Sequence, residues 1–286
     1  MIKTRLLLMT ILVMGFAIFR TAAQTRPDSA RASSLGTLPA SPVDSSADSL
    51  LPSRHSRKKR SHLETALSYQ SDNVYLGRKD STRFPYYIPA ISYYHKSGVY
   101  VAASFNYLKT STLSRLDLFT VDAGYMFMAH KYDGVFTVSK YFYNSQSTSI
   151  TSAIKSSFAY QSGYNFGTVK PGFTATLNIG DKADFEARFD LSHAFSIADD
   201  KFDLTPTVAA AGSTLNYYDY YRRRKYSIKK KKQPVQTGIA NINGSVLDAS
   251  TFKILDYELT MPIEYNIGKC TVNFTPTYSI PVNPAT

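Results

Sequence analysis

Ten or eleven stretches between His62 and Ile280 alternate apolar and polar residues over the length at which an extended chain crosses a membrane. The clearest runs from Ala183 to Leu191. Successive side chains of a strand point to opposite faces, so Ala183, Phe185, Ala187, Phe189 and Leu191 share one side while Asp184, Glu186, Arg188 and Asp190 share the other. Leu255 to Tyr265 repeats the design: Leu255, Tyr257, Leu259, Met261, Ile263 and Tyr265 oppose Asp256, Glu258, Thr260, Pro262 and Glu264. A wholly apolar face opposite a charged one suits a wall between lipid and a wet lumen better than the core of a soluble protein.

The N-terminus carries Lys3 and Arg5, then the predominantly apolar run Leu6 to Phe19, then the small residues Thr21-Ala22-Ala23 before Gln24. That is the layout of a cleaved secretory signal, predicted over residues 1–23. The fourteen-residue apolar run falls short of the ~20 that a membrane-spanning helix needs, and no later segment approaches that length. Residues 24–61 are rich in Ser, Ala, Pro, Asp and Arg, without sustained periodicity, and are expected to form a disordered periplasmic tail ending in the basic run Arg54 to Arg60. The barrel is expected over residues 62–286. The only cysteine, Cys270, has no partner for an internal disulfide and reads as a small apolar residue near a turn.

A net charge of +12 at first points to nucleic acid. The excess sits in the signal, the tail and Arg222 to Lys232, and what remains is slightly acidic. No basic stripe follows a folded face, so no nucleic-acid partner is expected.

The strands predicted by alternation begin with Leu63 to Gln70, followed by a loop through Asp72 to Arg83. Tyr86 to Tyr94 and Val99 to Tyr107 flank the turn His95-Lys96-Ser97-Gly98, a strong hairpin signal. After a polar loop from Leu108 to Arg115 come Phe119 to Phe127, Val135 to Tyr143, and a strand marked by Ile150, Ile154, Phe158 and Tyr160. Val169 to Ile179, Ala183 to Leu191 and Phe202 to Ala210 follow, then a long segment from Gly212 to Phe252, then Leu255 to Tyr265 and Val272 to Ile280. This gives an all-β fold: a transmembrane, antiparallel, up-and-down barrel of about 10–12 strands, with short turns on the periplasmic side and long loops outside. Single-chain bacterial barrels have even strand numbers, so eleven strands leave one owed. The expectation is either a chain that stops short of a last strand or a barrel of ten. Pro89, Pro171, Pro206, Pro262 and Pro276 fall inside the predicted strands, where proline cannot donate to a ladder, so bulges or strand ends are expected there.

The signal ending in Ala-Gln, the Ser/Pro tail, the tyrosine-rich strands without tryptophan and the closing Phe274-Thr275-Pro276-Thr277-Tyr278-Ser279-Ile280-Pro281, followed by Val-Asn-Pro, resemble small outer-membrane β-barrel proteins of the Bacteroidota. That resemblance implies a bacterial outer-membrane location and a last aromatic-ended strand, and it brings no catalytic residues.

Parity turns Asp122, Lys155, Lys170, Asp184, Glu186, Arg188, Asp190, Asp256, Glu258 and Glu264 toward the lumen. Carboxylates outnumber cations in this set, so an open lumen would favour cations; paired off across the barrel, the same charges would form a structural network. The long loop carries Tyr217-Tyr218-Asp219-Tyr220-Tyr221 and then Arg222, Arg223, Arg224, Lys225, Lys229, Lys230, Lys231 and Lys232. These cations are candidates for binding lipopolysaccharide phosphates or another anionic surface polymer. His95-Lys96-Ser97 has the His-x-Ser spacing of some lipid-hydrolysing barrels but lies in a turn expected on the periplasmic side. Ser192-His193 point to opposite faces. The five histidines lack metal-ligand spacing, and no metal, cofactor or catalytic residue is expected. The leading expectation is a porin-like passive channel for small solutes. The alternative is a closed structural or surface-interaction barrel whose basic loop binds anionic polymer; an outer-membrane lipid-modifying enzyme stands third. What separates the first two is whether Arg188, Lys155 and Lys170 pair off the lumen carboxylates.

Overall fold

The computed structural model describes residues 18–23, 60–72, 74–79, 85–110, 113–147, 149, 151–197, 201–218, 220 and 249–282. The fold is all-β and antiparallel. Its strands are β1 (Ile18–Ala23), β2 (His62–Gln70), the short pair β3 (Val74–Tyr75) and β4 (Arg78–Lys79), β5 (Tyr86–Tyr94), β6 (Val99–Lys109), β7 (Ser114–Ala129), β8 (Tyr132–Tyr143) and β9 (Ser156–Tyr164). They continue with β10 (Lys170–Ile179), β11 (Ala183–Ser192), β12 (Phe195–Ile197), β13 (Phe202–Leu204), β14 (Thr207–Ser213), β15 (Lys253–Thr260), β16 (Ile263–Ile267), β17 (Cys270–Phe274) and β18 (Thr277–Pro281). Sixteen of them form one sheet in the order β12-β13-β16-β17-β1-β2-β5-β6-β7-β8-β9-β10-β11-β14-β15-β18; β3 and β4 pair only with each other.

The prolines explain why the last strands come in pieces. Breaks of two residues separate β11 from β12, β13 from β14, β15 from β16 and β17 from β18, and the last three contain Pro206, Pro262 and Pro276. The breaks lie side by side, because Thr207 pairs with Thr260 and Thr260 with Thr277, while Leu204 pairs with Ile263 and Ile263 with Phe274. Proline has no N–H to give, but its carbonyl still accepts. His193 donates to Pro206 at 3.2 Å, Thr205 to Pro262 at 3.0 Å and Met261 to Pro276 at 3.1 Å. The seam is stitched, and strand direction carries through it. Pro89 stays inside β5, where pairing with β6 skips from Tyr87 to Ala90. Pro171 stays inside β10, opposite Leu191.

Two ends follow from the connections. One carries the tight turns near residues 95–98, 130–131, 165–169 and 268–269; the other carries the longer connections at 71–85, 144–155 and 214–252. They are called the turn end and the loop end below. At the turn end, Gly98 (φ +99°) closes the β5–β6 hairpin by donating to His95 at 3.0 Å. The ninth strand starts later than its alternation predicts. Ser152 donates to Ser149 at 3.1 Å and Ile154 to Thr151 at 2.9 Å, so the segment turns before extending.

Burial is inverted relative to a soluble protein. Val101, Val121, Phe136, Val138, Phe158, Phe189, Val208 and Leu259 are exposed, Phe189 by 62%, whereas Thr120, Asp122, Asn178, Asp184, Arg188, Asp256 and Glu258 are buried. Exposed tyrosines stand toward both ends, Tyr93, Tyr125, Tyr164 and Tyr265 toward the turn end and Tyr87 and Tyr107 toward the loop end, with Tyr257 and Tyr278 between them.

One close approach fixes the register of β6, β7 and β8. Gly124 lies between Tyr100 and Thr137, and the Tyr100 ring crosses it to place its hydroxyl 2.6 Å from Thr137 Oγ1. A Cβ at position 124 would meet the Phe136 carbonyl at 2.2 Å and the Tyr100 ring at 2.5 Å. Gly124→Ala is therefore expected to cost about 1–3 kcal/mol, read as a lower urea midpoint by loss of heat-modifiable gel mobility, while Tyr100→Phe keeps the fold with a smaller loss.

Candidate functional site

Two β-bulges shape the loop end of the buried face. Between β6 and β7, Tyr107 pairs with Leu116 but Asn106 with Leu118, so Asp117 is the extra residue. Between β14 and β15, Ala211 pairs with Asp256 but Gly212 with Ile254, so Leu255 is the extra residue. A bulge breaks the alternation locally and re-aims side chains. Asp117 and Leu118 are both buried, as are Leu255 and Asp256. This corrects the sequence expectation for Leu255: it belongs not to the outer apolar face but to the interior, fully buried at 0% exposure.

Each inserted residue becomes a hub. Asp117 accepts from the Tyr86 hydroxyl at 2.9 Å, the Ser147 hydroxyl at 2.8 Å and Arg115 Nε at 2.9 Å, tying the 144–155 connection to the rim. Leu118 and Leu255 join Tyr75, Leu76, Tyr141, Ala153, Ile154, Ala211, Leu215 and Tyr217 in one apolar cluster. Most of it comes from connections folded inward. The short hairpin β3–β4 delivers Tyr75 and Leu76, both buried, through a turn with positive φ at Leu76 (48°) and Gly77 (71°). A Cβ on Gly77 would stand 3.0 Å from Pro281 Cβ and 3.3 Å from Asp256 Cγ, so only glycine lets the hairpin seat this deeply. The Tyr75 hydroxyl donates to Glu186 Oε2 at 2.7 Å and accepts from Asn178 Nδ2 at 3.1 Å, while its ring meets Tyr217 edge-on at 5.1 Å. From the third connection, Asp184 accepts from the Asn216 and Tyr217 backbone N–H groups, each at 2.8 Å, and from the Thr214 hydroxyl at 2.6 Å.

Below this cap the interior is polar. Arg188 pairs with Glu258, both almost completely buried. Asp256 accepts from Ser279, whose hydroxyl lies 2.8 and 2.7 Å from its two oxygens. Asp122 faces Ser139 across the ladder and takes a hydrogen bond from it. Nearer the turn end, Lys170 pairs with Asp133 at 2.9 Å and Glu264 accepts from Asn273 Nδ2 at 3.0 Å.

Of the ten charged residues assigned to the interior by parity, Asp122, Asp184, Arg188, Asp256 and Glu258 are buried, and Lys170, Glu186, Asp190 and Glu264 are half-buried. The correction is Lys155. It is exposed at the loop end, just before β9, where Asp181 holds it at 2.7 Å and keeps its ammonium above the ordinary range, chiefly by hydrogen bonding. The cations Arg222, Arg223, Arg224, Lys225, Lys229, Lys230, Lys231 and Lys232 lie outside the described residues. His95 Nδ1 and Ser97 Oγ are 2.8 Å apart, but Ser97 N–H also reaches Nδ1 at 3.3 Å in an exposed turn, the geometry of a turn closing on itself. Among the described residues, no three His, Cys, Asp or Glu side chains gather as metal ligands. Sequence reasoning missed Asp117, Tyr75 and Leu76. The signal for the last two was there, since Val74-Tyr75-Leu76-Gly77 is an apolar run closed by a glycine inside an otherwise polar loop.

Comparison with known proteins adds no relative: no protein-family profile, curated protein or solved structure matches this chain.

Arg188 neutralises Glu258 with Glu186 and Asp256 close by. Arg188→Met, which keeps bulk and removes charge, is expected to destabilise the fold by about 3–5 kcal/mol by stranding a buried carboxylate; the double variant Arg188→Met/Glu258→Leu should recover most of that loss in the same urea titration.

Proposed function

We propose that this protein is an outer-membrane β-barrel whose interior is closed, acting as a structural or surface-interaction protein rather than as a standing pore. The observation that carries the closure is the β3–β4 hairpin, seated in the interior through Tyr75 and Leu76 and locked to Glu186 and Asn178. Supporting the barrel, the pieces separated by the proline seam follow one another along the same strand paths, and the sheet order runs through eleven such paths from β2 to β17–β18, with β1 paired to both end paths. Supporting the membrane, the outer face is largely apolar, with tyrosines among its exposed residues toward both ends, a distribution that suits a bilayer-spanning barrel. The signal-like segment at residues 1–23 supplies the export route, and the resemblance to Bacteroidota barrels agrees with it. In this reading the turn end is periplasmic and the loop end external. The connection between β14 and β15 leaves and returns at this external end, and its sequence carries the cations Arg222 to Lys232 suited to lipopolysaccharide or another anionic polymer.

Charge pairing favours the closed reading over the channel. Arg188, Lys170 and Lys155 all have carboxylate partners. The channel keeps one argument as second reading: Asp122, Glu186 and Asp256 remain beyond those three pairs, so an unplugged lumen would carry surplus negative charge. Ser104 and Thr120, directly opposite each other and buried, have hydroxyl oxygens without protein partners, which suits a wet interior beneath the plug.

In a planar bilayer the refolded protein is expected to be silent, and a variant with Val74–Lys79 replaced by glycine and serine is expected to show discrete, cation-preferring steps. Steady steps from the unaltered protein would instead establish the channel. Phe189→Arg, at mid-height on the outer face, should cost about 2–4 kcal/mol in lipid, measured as a lower yield of folded barrel in vesicles.

A further inference from the structure

One cation breaks the apolar outer face. On β8, Phe136, Val138 and Phe142 are exposed and share their side of the strand with Lys140, which is exposed as well. Val121 stands directly across from it on β7 and Phe158 diagonally across on β9, both exposed. Its partner across the ladder on β9 is Ser156, which faces outward because Ser157 is buried and Phe158 exposed. Among the described residues, Lys140 has no ion-pair or hydrogen-bond partner. The exposed carboxylate on the adjoining β10–β11 turn, Asp181, is held by Lys155 at 2.7 Å. The carboxylates of the described strands lie on the inward side with Asp122, Asp184 and Glu258. A lysine so placed on a membrane-facing wall calls for an anion from outside the chain.

The height of this cation narrows what the anion is. Lys140 pairs with Ser156, Ser156 with Ile179 and Ile179 with Ala183, and in that row β9 begins, β10 ends and β11 begins. Lys140 therefore stands near the loop-end margin of the wall, not at mid-height. One step nearer the loop end, Phe105, Phe119 and Phe142 stack in a row, their ring centroids 4.8 and 5.7 Å apart. Aromatic girdles mark the level where hydrocarbon meets headgroups, which is also the level of lipid phosphates. Toward the turn end, Val138, Phe136 and Phe158 give an exposed apolar track on which an acyl chain can lie. A second copy of this chain fits less well, since the described strands of its outer wall would bring no carboxylate to Lys140. A free phosphate ion would use the cation and leave the track bare.

We propose that Lys140 and Ser156 form a lipid site on the outer wall, which takes the phosphate of an anionic lipid of the external leaflet on the ammonium and hydroxyl groups and its acyl chain along Val138 and Phe136. This site rests on the membrane reading above. Removing the charge of Lys140 should weaken the hold on such a lipid about fivefold, the contribution of one cation at a membrane surface.

The test compares the full chain with Lys140→Met, each refolded into phosphatidylcholine vesicles with and without lipid A and unfolded with urea, with loss of heat-modifiable gel mobility as the readout. Lipid A is expected to raise the midpoint of the unaltered protein more than that of Lys140→Met, by the margin of about fivefold tighter lipid binding. Lys140→Arg should gain as the unaltered protein does, and so should Lys182→Met, which removes an exposed cation from the β10–β11 turn. The cations of residues 222–232 are present in every variant and cancel in the comparison. Equal gains for the unaltered protein and Lys140→Met overturn the proposal. The same gain from inorganic phosphate in place of lipid A overturns it by making the ligand a free anion. A gain that depends on Lys140 but follows the protein-to-lipid ratio in phosphatidylcholine alone overturns it in favour of a second copy of the chain. A chain that enters no vesicle and shows no heat-modifiable shift removes the membrane reading, and this proposal falls with it.

Discussion

Everything in this structure depends on the need to satisfy polar side chains that a sheet turns to its buried face. The strands put their valines, phenylalanines and leucines outward and their carboxylates, hydroxyls and amides inward. A buried charge left alone costs far more than any packing contact returns, so the interior must be assembled as matched groups: Arg188 with Glu258, Asp256 with Ser279, Glu186 with Tyr75. The apolar faces need no such matching and only require an apolar neighbour outside. That asymmetry makes the interior specific and the outer face generic.

The loop end shows how local irregularities serve this requirement. Strict alternation would bring one residue in every two inward. At the two bulges an adjacent pair goes in instead, one apolar residue for the cap and one carboxylate: Leu118 with Asp117, which bonds the rim, and Leu255 with Asp256, which bonds Ser279 beneath the cap. Tyr75 links these layers physically. Its ring lies in the apolar cluster and its hydroxyl reaches down to Glu186, so moving the hairpin would both open the cap and strand a carboxylate. The hairpin is held by chemistry at two depths, an apolar cluster and a hydrogen-bonded carboxylate.

The proline seam answers a different constraint. Three adjacent strand breaks, each losing an N–H, would ordinarily mark the end of a sheet. Because they are aligned, each neighbouring strand needs only a proline carbonyl at that level, and the carbonyls are present. The β17 and β18 pieces on either side of the seam then serve different partners, β1 and β15 along opposite edges.

Period-two alternation by itself located most of the strands and the faces of most of their side chains. Tyr86–Tyr94 matches residue for residue, and nine of ten charged positions assigned inward by parity are buried or half-buried, because side-chain direction in a strand is a local property of the backbone. The tertiary structure decided what is not local. Leu255 was assigned to the wrong face because a bulge is visible only when two strands are paired. Lys155 was assigned inward because its strand starts one residue later, after turns among Ser149, Thr151 and Ser152. Tyr75 looked like a loop residue because its partners, Asn178, Glu186 and Tyr217, lie more than a hundred positions away. Alternation carries information about one strand at a time, whereas bulges and inward-folded hairpins are properties of segments far apart in sequence, and only the folded chain brings those segments together.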